Sequence, residues 1–121
     1  MTKSILNAVA GNSAGTLLLL VFAAALEVFG DAFFQTALHR SSGFSRVLSS
    51  VSGAALLILY GVIVNLAPWD FGKLLGIYMV FFFIVSQLVA WLRFHQAPTA
   101  SIYIGGSLIV AGGAIICWGK I

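Results

Sequence analysis

Apolar residues fill four long runs along the chain, and polar residues collect in the short stretches between them. The runs cover residues 14–38, 47–66, 74–92 and 102–118. Each is close to the ~20 apolar residues that a helix rising about 1.5 Å per residue needs to cross a bilayer. The intervening segments read as turns: 39–46 carries Ser41, Ser42, Gly43 and Ser45, 67–73 carries Pro68 and Asp70, and 93–101 carries Gln96 and Pro98. Connections this short make consecutive helices antiparallel. The pattern predicts an all-α membrane protein with a four-helix transmembrane domain over 14–121 and a lead-in over 1–13. The lead-in has Ile5, Leu6 and Val9 on one side and is expected to lie in the membrane interface. Lys3, the apolar run 17–25 and the small residues Ala23, Ala24 and Ala25 imitate a cleavable signal peptide. The apolar pattern continues through Val28, Phe29, Ala32, Phe33 and Phe34, however, which argues for a full first span instead.

Composition agrees with this reading. Of 121 residues, 61% are hydrophobic and 7% charged, far below the ~25% charged residues of soluble domains, so a water-soluble fold is excluded. Six Lys and Arg against three Asp and Glu leave a net charge of +3, but the basic residues are spread singly and form no nucleic-acid-binding patch. The single cysteine, Cys117, allows neither a disulfide within the chain nor a multi-cysteine metal site. His39 and His95 fall in loops, and no catalytic constellation or metal-ligand spacing is present. The expectation is a multi-pass protein of the plasma (inner) membrane, without enzymatic activity, metal or cofactor.

Lys and Arg near helix ends set orientation by favouring the cytoplasm. Lys3, Lys73 and Lys120 fall on one face of a four-helix chain, and Arg40, Arg46 and Arg93 on the other. This tie removes the bias toward one orientation and predicts dual topology, which permits an antiparallel homodimer. The fourth run supplies a contact surface in Gly105, Gly106, Gly112 and Gly113, two pairs each spaced by about two helical turns. These glycines can meet a second copy or a helix of the same chain.

An ionisable side chain near the bilayer centre costs at least about 2.5–3.5 kcal/mol on insertion scales, so it marks function by default. Glu27 sits in the middle of the first run, and Asp31 follows at i+4 on the same helix face, with Gln35 beyond it. Leu20, Ala23 and Ala24 on that side are expected to leave room for a cavity. Low dielectric and a neighbouring carboxylate both disfavour the ionised form, so Glu27 is expected to exchange protons. A carboxylate that is neutral when protonated and anionic when empty holds either a proton or an organic cation. Tyr60 and Tyr78 lie deep in the second and third runs, where a hydroxyl or ring face could serve the carboxylate or the cation. Ser52 and Ser86 are expected to bond to their own helix backbones, and Asn65, Trp69, Trp91, Tyr103 and Trp118 to anchor at the interfaces.

Three segments together resemble the small multidrug resistance family of the drug/metabolite transporter superfamily. Leu26-Glu27-Val28-Phe29-Gly30 is similar to the family's first-helix motif, a membrane Glu followed three residues later by Gly. Residues 105–112, with Gly105, Gly106, Leu108, Ile109 and Gly112, are similar to its fourth-helix dimerisation motif. The stretch 65–73, with Pro68, Trp69 and Asp70, and then Trp91-Leu92-Arg93 resemble the YnfA-like branch most. The resemblance implies an antiparallel homodimer whose two Glu27 side chains line one cavity, open alternately to each side, that exchanges protons for small or hydrophobic organic cations. The chain departs from the pattern in its third helix. Tyr78 stands where the family carries Trp, and Met79, Val80, Phe81, Phe82 and Phe83 stand where it carries an aromatic box and glycine hinge. Two other readings remain open: a subunit of a polyprenyl-phosphate lipid flippase, and a non-transporting structural or regulatory membrane subunit. The first fits poorly with two intramembrane acids and no intramembrane base.

Overall fold

A computed structural model describes residues 13–119. Four helices follow one another: α1 Ser13–His39, α2 Gly43–Val64, α3 Phe71–Phe94 and α4 Ala100–Trp118. All four are long and apolar enough to span a membrane. Side chains such as Leu18, Ile58, Leu108 and Ile115 are about 70% exposed, an arrangement that hydrocarbon tolerates and water does not. Residues 1–12 of the expected lead-in, Lys3 among them, lie outside the described residues, as does Lys120, and Ser13 already belongs to α1.

Most helix ends run past the apolar runs, by up to four residues, because backbone hydrogen bonding continues into the polar interface where hydropathy has already fallen; α2 instead stops at Val64, two residues short of its run, just before Pro68. At the α1–α2 turn the chain reverses in three residues, Arg40 to Ser42, and Gly43 takes φ +60°, a left-handed conformation that glycine adopts without strain. Arg46 closes this turn. Its Nε–H donates to the Ala37 carbonyl at 2.9 Å and its Nη2 to the Ser41 carbonyl at 2.8 Å, satisfying one of the carbonyls that the end of α1 leaves without a helical partner. At the end of α3, His95 adopts φ 58°, and the Gln96 N–H folds back to the Ala90 carbonyl at 2.9 Å.

The chain forms two compact units, one built by α1 and α2 and the other by α3 and α4. In the first, the backbones approach at Gly30 and Gly53. A Cβ on Gly53 would lie 2.8 Å from the Gly30 carbonyl oxygen and 2.9 Å from the Phe34 ring; a Cβ on Gly30 would lie 2.8 Å from Leu57. In the second, glycines receive side chains: Gly106 takes the Phe83 ring, Gly76 takes Ile116, and Gly113 takes Val80.

Candidate functional site

Glu27 lies one residue past the midpoint of α1, and Asp31 about 6 Å further toward the His39 end. They differ in surroundings. Glu27 is half-buried, whereas Asp31 and Gln35 are exposed. The reason lies in the helix face set by the α1–α2 crossing. Gly30 and Phe34 pack on α2, and Glu27, three residues before Gly30, continues their stripe. Asp31 is turned about 100° away from Gly30. The i+4 spacing that puts the two acids on one helix face therefore splits them between its inner and outer margins.

The same crossing fixes the register. Gly30 meets Gly53 and Leu57; one turn back along α1 is Glu27, and one turn on along antiparallel α2 is Tyr60. Counted from Gly53 the same step reaches Leu56, so Glu27 faces the stretch from Leu56 to Tyr60, and Tyr60 is half-buried. Glu27 and Tyr60 each make a polar or ring interaction in the structure. Leu20, Ala23 and Ala24, expected to leave room beside Glu27, are fully buried instead; they are packing surface, because small side chains on an inner face let the neighbouring backbone close in. Tyr78 belongs to the other unit, where it is 2% exposed and stands 6.3 Å, centroid to centroid, from the Phe82 ring.

The four glycines of α4 divide. Gly106 and Gly113 are occupied by α3 side chains, while a Cβ on Gly105 or Gly112 would meet nothing within 4 Å among the described residues. Leu108 lies on the exposed side, 70% accessible, with Ile109 at 38%. A seven-residue spacing sets both pairs on a helix without telling which pair faces the chain's own neighbour. The hydroxyls of Ser52 and Ser86 donate to Leu48 and Phe83 carbonyls, at 2.9 and 2.7 Å, and the Asn65 amide donates to the Gly61 carbonyl at 2.7 Å. These polar groups are absorbed by their own helices. Arg46, read in the sequence only as a topological charge, is a structural clasp; its place six residues after Arg40 in a serine-rich turn was the only signal. Among the described residues no group of His, Cys, Asp and Glu could hold a metal ion.

The chain is similar to two proteins named UPF0060 membrane protein. It is 36% identical over 70 residues to one from Herpetosiphon aurantiacus, covering 56% of this chain and 64% of that protein. It is 30% identical over 105 residues to one from Clostridium beijerinckii, covering 85% of this chain and 92% of that protein. The first match thus spans just under two thirds of its relative, and the second nearly all. No family model matches the chain, and no solved structure matches it. A near full-length relative, four spanning helices and a sequence 61% hydrophobic lead to one conclusion: the chain is a multi-pass membrane protein and belongs to the UPF0060 membrane protein family.

Proposed function

We propose that this protein is a proton-coupled antiporter that exports small or hydrophobic organic cations by alternating access, working as an antiparallel homodimer related to the small multidrug resistance transporters. The observation that carries the reading is the position of Glu27, mid-span and half-buried beside the Gly30–Gly53 crossing. The spanning runs contain two carboxylates and no Lys or Arg, so charge compensation in the membrane favours a proton or an added cation over a resident base.

In the exchange cycle a cation approaching Glu27 displaces its proton to the aqueous side from which the cation came, and the carboxylate pairs with the cation. After the cavity reopens to the opposite side, a proton arriving there neutralises the carboxylate and releases the cation. Either occupant makes the site neutral for the transition, whereas the empty anion is held back by the cost of a bare charge in low dielectric. Tyr60 lies at the right level to present its hydroxyl to the carboxylate or its ring to the cation. The rigid Gly30–Gly53 contact keeps those two residues in register during the change. Anionic lipid-phosphate cargo would call for a base in the spans, and the sequence has none there.

Transport in proteoliposomes tests this. With a pH gradient imposed, wild-type protein should drive guanidinium or a quaternary ammonium against its concentration gradient, and Glu27→Gln should not. Failure of quaternary ammonium, guanidinium and amine cations alike in the wild type would remove the antiporter reading; unchanged transport by the variant would remove Glu27 from it.

A further inference from the structure

Beyond Glu27, α1 carries Asp31, Gln35 and His39 at successive steps of four residues, a line that climbs about 6 Å per step and about 18 Å in all. That reaches from the middle of a hydrocarbon core about 30 Å thick to just past its surface. All three side chains are exposed, as is Leu38 beside them. In the other direction the line stops: Ala24, Ala23 and Leu20, in the two turns before Glu27, are fully buried. The polar line therefore joins the level of Glu27 to one end of α1 only, the end at the α1–α2 turn.

Asp31 and Gln35 make no hydrogen bond with any described residue. A bare carboxylate and a bare amide at this depth are costly against hydrocarbon, so a polar medium has to cover them, and the donors of the chain decide which. Among the described residues, the hydroxyls of Ser50, Ser52, Ser86 and Ser107 and the Asn65 amide donate to carbonyls of their own helices. Thr16, Thr36, Tyr60 and Tyr78 each have an interaction already, and the spanning runs hold no Lys or Arg. Inside the spans this leaves the Ser49 hydroxyl, near the start of α2, and the Gln87 amide, which lines an apolar groove between α3 and α4; Trp91, Tyr103 and Trp118 lie in the outer turns. An ionised carboxylate alone has room for about four donors. A second copy of the chain would bring acceptors as fast as donors. Whatever packs beside α1, the protein has too few donors to satisfy this line, and water has enough.

We infer that this line is the wall of a water-filled path leading from the α1–α2 turn to Glu27. Asp31 and Gln35 keep the path wet, and the Asp31 carboxylate draws cations into it. Use of the path by proton and cation rests on the antiporter reading; the presence of water along it does not. In an antiparallel homodimer the path of one copy opens to one side of the membrane and that of its partner to the other, so each chain supplies access from a single side.

The test places the full chain in lipid nanodiscs, where both membrane faces are open to reagent, in a Cys117→Ser background. A thiol attacks a methanethiosulfonate as the thiolate, which forms in water and not in hydrocarbon. The contact of Gly30 with Gly53 sets Val51 and Leu48 of α2, 61% and 56% exposed, within about a turn of the depths of Asp31 and Gln35, so these apolar positions serve as matched controls. With the permanently charged trimethylammonium-ethyl reagent, Asp31→Cys should react at least about tenfold faster than Val51→Cys, and Gln35→Cys faster than Leu48→Cys by a similar factor. Gln35→Trp, added to Asp31→Cys, should slow its labelling severalfold by narrowing the path between Asp31 and the turn. Equal rates within the pairs, a fast Gln35→Cys with Asp31→Cys as slow as Val51→Cys, or an Asp31→Cys rate unmoved by Gln35→Trp would each overturn the proposal. Transport plays no part in these rates, so a failure of the water path and a failure of the antiporter reading are told apart.

Discussion

In the α1–α2 pair, glycine meets backbone: a Cβ on Gly53 would press on the carbonyl oxygen of Gly30. In the α3–α4 pair, glycine meets side chain: Gly106 receives Phe83, Gly113 receives Val80 and Gly76 receives Ile116. A carbonyl held in a helix ladder cannot step aside, whereas the Phe83 ring and the Ile116 δ-methyl, ends of longer side chains, can turn. The first arrangement fixes a distance and the second only fills a space. The pair with the fixed distance is the one that carries both intramembrane carboxylates. The pair with adjustable contacts has no acid within its helices and opens into a groove. A site that must hold a proton and a cation in turn gains from a frame that does not yield, because the energy of a charge in low dielectric changes steeply with distance.

The largest effect expected is on exchange itself. Glu27→Gln should reduce pH-driven cation transport to background, while Asp31→Asn, at the exposed margin, should keep most of it; a proteoliposome flux assay on both variants separates the inner acid from the outer one. The pH dependence has a definite sign. Protonated Glu27 cannot pair with a cation, so apparent affinity should rise with pH until the carboxylate is fully ionised, and should fall about tenfold per pH unit well below that point.

Next comes the contrast between the two kinds of glycine contact. Gly53→Ala should cost about 2–3 kcal/mol, since backbone must move, and Gly76→Ala about 1 kcal/mol or less, since the contact there is with Cδ1, the far end of the Ile116 side chain. Gly105→Ala, with open space around its Cβ within the chain, should cost nothing and stabilise the helix by up to about 1 kcal/mol. Unfolding by denaturant in mixed micelles measures all three, and equal losses at Gly53 and Gly76 would break the comparison. Arg46→Gln should cost about 1–2 kcal/mol through two lost hydrogen bonds to carbonyls at a partly solvated turn, with the loss confined to the α1–α2 turn in amide hydrogen exchange. The smallest effect is at His95, whose φ of 58° suits glycine better. His95→Gly should stabilise the end of α3 by up to about 1 kcal/mol, read as slower exchange of the Gln96 amide.

The four spans were legible because apolar runs of this length admit one structure in a bilayer. Glu27 was legible because no other charge lies so deep. What the pattern did not carry is partnership. Gly30 stood in a recognisable motif, but its contact with Gly53 depends on how α1 and α2 cross. The glycine pairs of α4 were visible, yet only packing shows that Gly106 and Gly113 face α3. Tyr60 and Tyr78 looked alike as deep tyrosines, and only the α1–α2 register brings Tyr60 within a turn of the level of Glu27. Arg46 counted as a surface charge because its carbonyl acceptors come together only once the turn has formed.

The central claim is that Glu27 holds a proton and a cation by turns, and proton release on cation binding measures this directly. Calorimetric titration of the purified protein with a guanidinium or quaternary ammonium ligand, in buffers of different ionisation enthalpy near the midpoint of the binding pH profile, counts the protons displaced. The account predicts a fractional release that grows toward one proton per site as pH falls below the midpoint, and none from Glu27→Gln. Cation binding without proton release at any pH, or the same release from the variant, would contradict it.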